Sequence, residues 1–265
     1  MEKIKLETVS FAYQQQNSSI TVINDVNMSI QEGEFVSIIG PSGCGKSTIL
    51  SLLAGLNFPC NGKILLNGQR IKGTGNERGV VFQHYSLFPW MSARKNILFG
   101  LRQLDDRKSP EKREQITDHY LALVGLKDAG DKYPGQLSGG MQQRVAIARA
   151  FAMDAEILLM DEPFSAVDAK NRTALQQLLL DLWNNGEKKK TVVFVTHDVD
   201  EAILLSDRII VMSTCTKGVK DTIRVAFERP RNRAVLMRTT AYAGMRNTLV
   251  NLLFDDLLEE AEIEV

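Results

Sequence analysis

The chain has 265 residues, 44% of them hydrophobic and 24% charged, a length and composition that suit one large domain or two small ones with a substantial core. Its 32 Lys and Arg balance 32 Asp and Glu, and this zero net charge excludes the global basic field expected of a nucleic-acid or anionic-membrane binder. The three cysteines, Cys44, Cys60 and Cys215, are scattered and define neither a disulfide framework nor a metal-ligand spacing.

The opening MEKIKLETVSF has no apolar signal region, and the apolar runs are strand-length, short of the ~20 residues of a membrane span. The expectation is a soluble, cytoplasmic protein that reaches a membrane only through a partner. In chain order, KIKLETVSFAY alternates and ITVINDVNMSI (Ile20–Ile30) is a second β-rich run, with QQQNSS between them as a hairpin loop. EFVSIIG (Glu34–Gly40) reads as a buried strand leading into GPSGCGKST (Gly40–Thr48) and a helix over Lys46–Leu56. GKILLNGQRI (Gly62–Ile71) adds a strand pair with an Asn-Gly turn, so an antiparallel sheet is expected beside a parallel core. From about Ser86 to Ala150 the pattern is largely helical, with a charged middle at Asp105–Glu114 and a final helix over Ser138–Ala152. Two further buried strands follow, AEILLMDEP (Ala155–Pro163) and KTVVFVTHD (Lys190–Asp198), with helices at Ala169–Asn184 and Val199–Leu205. The basic run EKKK (Glu187–Lys190) reads as a solvated loop. The last fifty residues finish in an amphipathic helix passing into an acidic tail from Asp255, either a solubilising end or a partner site.

All three buried strands stop at polar constellations, and in open α/β sheets ligands bind at strand carboxyl ends, which points to one shared site. GPSGCGKST fits G-x-x-x-x-G-K-[ST], with Gly40, Gly45, Lys46 and Ser47 in the fixed places. In such a loop the backbone N–H groups of Gly40, Pro41, Ser42, Gly43, Cys44, Gly45 and onward to Thr48 (proline excepted) cradle phosphates. Lys46 reaches the β/γ-phosphates, the Ser47 hydroxyl ligates Mg²⁺, and the helix start favours the same anion. Asp161 at the end of its strand suits Mg²⁺, and adjacent Glu162 is placed to act as general base toward a water. His197 ends the third strand and is read as a γ-phosphate contact that orients the water or Glu162. A pair of acids or a lone histidine would elsewhere be read as a solvated strand end or a structural group. Following apolar strands in a chain with a phosphate loop, they are read as functional.

With these motifs in order the chain resembles the ATP-binding subunits of ABC transporters over about residues 2 to 215, with an inserted helical subdomain at about 86–150 and a short C-terminal extension over 216–265. LSGGMQQR (Leu137–Arg144) matches the family signature in full. The resemblance implies a P-loop α/β core with a flanking antiparallel β subdomain. It places Tyr13 against adenine, makes Gln83 the Q-loop glutamine and a Mg²⁺ ligand, and puts a D-loop at Ser165–Asp168. It also implies that Ser138, Gly139 and Gly140 act on a nucleotide held by a second copy of the chain, giving an ATP-sandwich dimer. LFPWMSARKNILFGL, HDVDEAILLSDRIIVM and FERPRNR resemble the importer ATPases for nitrate, sulfonate, taurine and related solutes. That implies a membrane permease docked near Gln83–Trp90, an extracytoplasmic solute-binding protein, and a location at the cytoplasmic face of the membrane. Phe88, Pro89 and Trp90 read equally as core residues. Export stays open as the alternative direction. A non-transport ABC ATPase is disfavoured by the zero net charge, the short interval from Lys46 to Leu137 and the single set of motifs.

Overall fold

A computed structural model of the chain describes residues 1–15, 18–83, 86–104, 108–185 and 188–263. In chain order these form β1 (Glu2–Gln15), β2 (Ser18–Gln31), β3 (Phe35–Ile39), α1 (Lys46–Ala54), β4 (Asn61–Leu66), β5 (Gln69–Arg70) and β6 (Arg78–Val81). Then come α2 (Ala93–Arg102), α3 (Pro110–Leu123), α4 (Gly139–Ala152), β7 (Ile157–Asp161), α5 (Ala169–Asn184), β8 (Thr191–Val195) and α6 (Val199–Leu205). β9 (Arg208–Met212), β10 (Val219–Arg224), α7 (Arg233–Leu236) and α8 (Thr240–Ile263) complete the chain. Two compact units result, Met1–Thr74 with Thr191–Val265, and Gly75–Lys190.

In the first unit β3 lies between β8 and β9, parallel to both, with Ile38 opposite Val195 and Ile39 opposite Val211. Every residue of β3 and β8 is buried, as near-continuous apolar runs require of strands covered on both faces. β10 closes the β9 edge antiparallel. A separate antiparallel sheet has the order β2-β1-β4-β5. Its long hairpin is bulged where Thr8 and Asp25 both take φ 48, and side chains settle the freed amides. Asn27 Oδ1 accepts from Thr8 N at 2.8 Å and Ser10 Oγ from Asp25 N at 3.0 Å. The Asn67-Gly68 turn takes φ 50 and 76, the double left-handed conformation that a tight hairpin demands.

The second unit sets β6 parallel to β7 and gathers α2, α3, α4 and α5 around Ile97, Leu101, Leu121, Val145, Ala148 and Ala152. The starts of α2, α3, α4 and α5 are each capped by a side chain accepting from the first turn, in order Ser92, Ser109, Ser138 and Asp168.

Four expectations shift. The hairpin strands run into the stretch expected as a loop, with Gln14 paired to Ser19 and Gln15 to Ser18. α1 stops at Ala54 rather than Leu56, because Gly55 turns left-handed at φ 74 and its N–H closes on the Leu52 carbonyl at 3.1 Å. The basic run before β8 is not simply solvated: Lys190 binds Asp154 Oδ1 at 2.7 Å and the Ala155 carbonyl at 2.9 Å, while Lys189 lies 4.7 Å from the Trp183 ring. Glu187 of that run lies outside the described residues, as do the residues 16 and 17 of the expected hairpin loop and 105–107 of the charged middle. Finally, α8 continues as one helix to Ile263, through the stretch read as an acidic tail. Among the described residues no helix is long and apolar enough to cross a membrane.

Candidate active site

In the first unit, β3 delivers the chain directly into the loop Gly40–Thr48. A Cβ on Gly40 would meet Cys44 Sγ at 2.6 Å and the Met212 carbonyl at 2.7 Å, so only glycine fits between β9 and the returning loop. Gly45 takes φ 95 with Val22 and Ile23 of β2 against it, and from that turn α1 begins. No acidic residue stands in the first turn of α1, a helix start of the kind that suits an anion. Lys46 is buried and its ammonium donates to the carbonyls of Gly40 at 2.9 Å and Pro41 at 2.8 Å, which holds the charge over the loop. Ser42, Gly43 and Ser47 are exposed along the same loop, and Pro41 is half-buried. Because β8 runs beside β3 in parallel, it ends at the same edge, and Thr196 N bonds the Ile38 carbonyl at 3.2 Å. His197 is the next residue and is exposed there. Tyr13 lies on β1, in the hairpin whose second strand rests on Gly45; its ring is exposed and stacks edge-on to Phe11 at 4.9 Å.

In the second unit, β6 and β7 run parallel with Val81 opposite Met160, so Gln83 and the Asp161-Glu162 pair emerge at one edge. Gln83 is exposed and both acids are half-buried. Glu162 sits at φ 41, a left-handed conformation that a side-chain-bearing residue adopts only when its surroundings dictate it. Two bonds close the turn over it: Ser165 N and Ser165 Oγ both donate to the Glu162 carbonyl, at 3.2 and 3.0 Å. Buried Phe164 anchors the same turn.

Residues 138–140 and 165–168 also come together in this unit. Ser138 caps α4 by accepting from Met141 N at 3.3 Å, and as an acceptor it keeps its hydroxyl proton for donation outward. No acid stands in the first turn of α4 itself. A Cβ on Gly140 would lie 3.6 Å from Asn171 and 3.8 Å from Val167. Asn171 in turn binds Asp168 through its backbone at 3.1 Å and its side chain at 2.7 Å. The Asn171 amide and backbone bonds hold the Asp168 carboxyl below its ordinary pKa, so it is ionised at neutral pH. Asn171 was not singled out in the sequence. The signal for it was present, as the third residue after an Asp that caps a helix.

Asn96 was missed as well. It is fully buried, accepts from Phe88 N at 2.8 Å and donates to the carbonyls of Phe88, Met91 and Ser92 at 3.1–3.2 Å. This fixes the Phe88–Ser92 loop, in which Trp90 stands 68% exposed and half-buried Phe88 packs on Phe99 at 4.7 Å. Arg149 lies over Phe88 at 6.0 Å and bonds the Ser86 carbonyl at 2.9 Å. Within LFPW, Leu87 and Phe88 are half-buried, while Pro89 and Trp90 are exposed and are not core residues; residues 84 and 85 lie outside the described residues. Asn96→Ala is expected to cost ~3 kcal/mol in chemical denaturation, since it strands a buried amide and several carbonyls. A loss below ~1 kcal/mol would mean that the loop holds itself.

The α/β core of the first unit and the sequence motifs carried by the two units are those of a P-loop ATPase of the transporter type. The chain belongs to the ABC transporter family, whose model matches residues 23–165, and it is an ATP-binding, ATP-hydrolysing subunit of that class. It is 45% identical over 233 residues to the nitrate import ATP-binding protein NrtD of Synechococcus elongatus, covering 88% of this chain and 84% of that one. It is 40% identical over 253 residues to the bicarbonate transport ATP-binding protein CmpD of Synechocystis sp., covering 95% and 89%. Among solved structures, a dimeric post-hydrolysis ATP-binding cassette, MJ0796, bound to ADP and Pi, superposes with a TM-score of 0.74 at 34% identity, over 85% of this chain and 100% of that one.

Proposed function

We propose that the chain powers uptake of a small oxyanion through a separate membrane permease, working as a dimer of two copies at the cytoplasmic face of the membrane. The observation that carries this reading is the likeness over most of the chain to proteins named for import of nitrate and transport of bicarbonate. Exposed Trp90 and Phe82, on either side of the Q-loop, offer the apolar surface that a permease helix would take.

In this mechanism Tyr13 stacks on adenine, the amides from Gly40 to Thr48 hold the phosphates, and Lys46 turns its ammonium from the loop carbonyls toward the β/γ-oxygens. Ser47, Gln83 and Asp161 would supply hydroxyl, amide and carboxylate oxygens, the hard donor set that Mg²⁺ takes. Bound there, Mg²⁺ would neutralise phosphate charge as it develops. Glu162 accepts the proton of the attacking water, and His197 donates to the γ-phosphate. Ser138 with the Gly139 and Gly140 amides stabilises the nucleotide of the partner copy, Asp168 lies in the same face, and the two-fold dimer carries two such nucleotides. ATP is then part of the interface, and its hydrolysis releases the closed state.

Ser138→Arg should leave nucleotide binding by the single chain intact and abolish ATP-induced dimerisation on size exclusion. A variant that still dimerises and hydrolyses normally would sink the role in trans. For the transport reading, the chain is purified with its co-encoded permease and solute-binding protein and reconstituted in vesicles. Nitrate or another small oxyanion should stimulate hydrolysis several-fold and accumulate inside. Stimulation by a cation or sugar alone overturns the substrate class, and efflux overturns the direction.

A further inference from the structure

Helix α6 follows His197 directly, and residues of the C-terminal segment grip it at both ends. At its C-terminal end Arg231 Nη1 donates to the carbonyls of Ile203 at 3.0 Å, Leu204 at 3.2 Å and Ser206 at 2.6 Å. Arg229 donates to the Leu205 carbonyl and to Asp207 Oδ1. The carbonyls at this helix end have no intrahelical partners, and a guanidinium also complements the negative end of the dipole. Desolvation, and then the nearby Arg229, lower the pKa of Arg231 to about 10, so it stays cationic at neutral pH. At the other end of α6, Asp200 accepts from the Tyr242 hydroxyl at 2.6 Å and from Arg246 Nε at 3.1 Å. Between these grips Ala202, Ile203 and Leu204 pack in one buried cluster with Tyr242 and Leu249 of α8.

The first turn of α6 is equally tied to the residues on either side of His197. Asp198 caps the helix, accepting from Asp200 N at 2.8 Å and Glu201 N at 3.1 Å. Buried Glu201 accepts from Thr196 Oγ1 at 2.7 Å, and that hydroxyl oxygen accepts from Asp198 N at 3.0 Å. Thr196 and Asp198 bracket His197, so the backbone of the histidine is tied to α6.

We propose that Arg231, Tyr242 and Arg246 are positioning residues for hydrolysis: they brace α6 from the C-terminal segment and through it set the reach of His197. The proposal rests on the reading of His197 as the γ-phosphate contact. A brace of this kind acts on a group used in the transition state and not on nucleotide capture, so it separates turnover from binding.

The test uses the full chain and compares Tyr242→Phe, which removes one hydroxyl from Asp200, with Arg231→Lys, which keeps the charge but loses the planar fork. Turnover under saturating ATP, the dissociation constant of a fluorescent ATP analogue, and amide hydrogen exchange over residues 196–200 are measured, with His197→Ala alongside. Both brace variants are expected to lower kcat about tenfold, as loss of a charge-assisted bond that matters only in the transition state would. Analogue affinity and stoichiometry should stay within about twofold, and exchange over residues 196–200 should rise. Wild-type kcat in both variants with His197→Ala inactive overturns the brace. So does a parallel loss of kcat and binding, which marks a purely structural segment. Wild-type turnover in His197→Ala instead overturns the reading of His197 itself.

Discussion

Glu162→Gln is expected to bind ATP as the parent chain does while hydrolysing it about 10²- to 10⁴-fold more slowly, the usual contribution of a positioned general base. The substitution keeps the shape of the side chain and the turn closed by Ser165, and it removes only the capacity to take a proton from water. ATP-bound dimers should therefore accumulate, visible as an ATP-dependent shift on size exclusion that ADP does not produce. Hydrolysis near the parent rate would remove Glu162 from the mechanism and leave proton acceptance to the phosphate or to His197. The size of the effect follows from where the residue sits. It stands one position beyond β7, half-buried, at the edge shared with Gln83.

Lys46→Ala should fail at the earlier step. Its ammonium already makes two bonds to loop carbonyls at 2.8–2.9 Å, so it is held where phosphate oxygens would replace those carbonyls. Loss of a charge-assisted contact of about 2–3 kcal/mol corresponds to ATP binding roughly 30- to 150-fold weaker, read by fluorescent-nucleotide titration. Unchanged affinity with lost turnover would make Lys46 a transition-state residue only. The pair of variants thus separates capture from chemistry, one failing in binding and the other in turnover.

Of the five parallel strands, β3, β7 and β8 were legible because burial on both faces leaves near-continuous apolar runs, and their polar ends marked one edge of each unit. The four-residue β6, which begins with Arg78, and β9, which also begins with an arginine, were not read as strands. The Asn67-Gly68 turn and the bounds of α5 and α6 could be read for equally local reasons. What stayed hidden depends on partners distant in the chain. Asn96 looks like any polar residue on a helix until the loop eight residues earlier folds over it. Arg229 and Arg231 sit in a basic-proline segment whose partners are the carbonyls of α6, 24 to 28 residues back. The helical continuation of α8 was masked by acidic composition, which signals solvation but does not forbid a helix. The bulges at Thr8 and Asp25 break the alternation locally, so a simple two-residue period cannot give the register of β1 on β2.

The left-handed backbone at Glu162 places two kinds of selection in conflict at a single residue. Folding alone would favour glycine or asparagine at φ 41, since a longer side chain there costs on the order of 1 kcal/mol or more. Hydrolysis, on the mechanism proposed, needs a carboxylate on a stem long enough to meet water. A search for thermostable variants scored by melting temperature would therefore drift toward an inert protein at this position, and a screen of this chain has to read turnover along with stability.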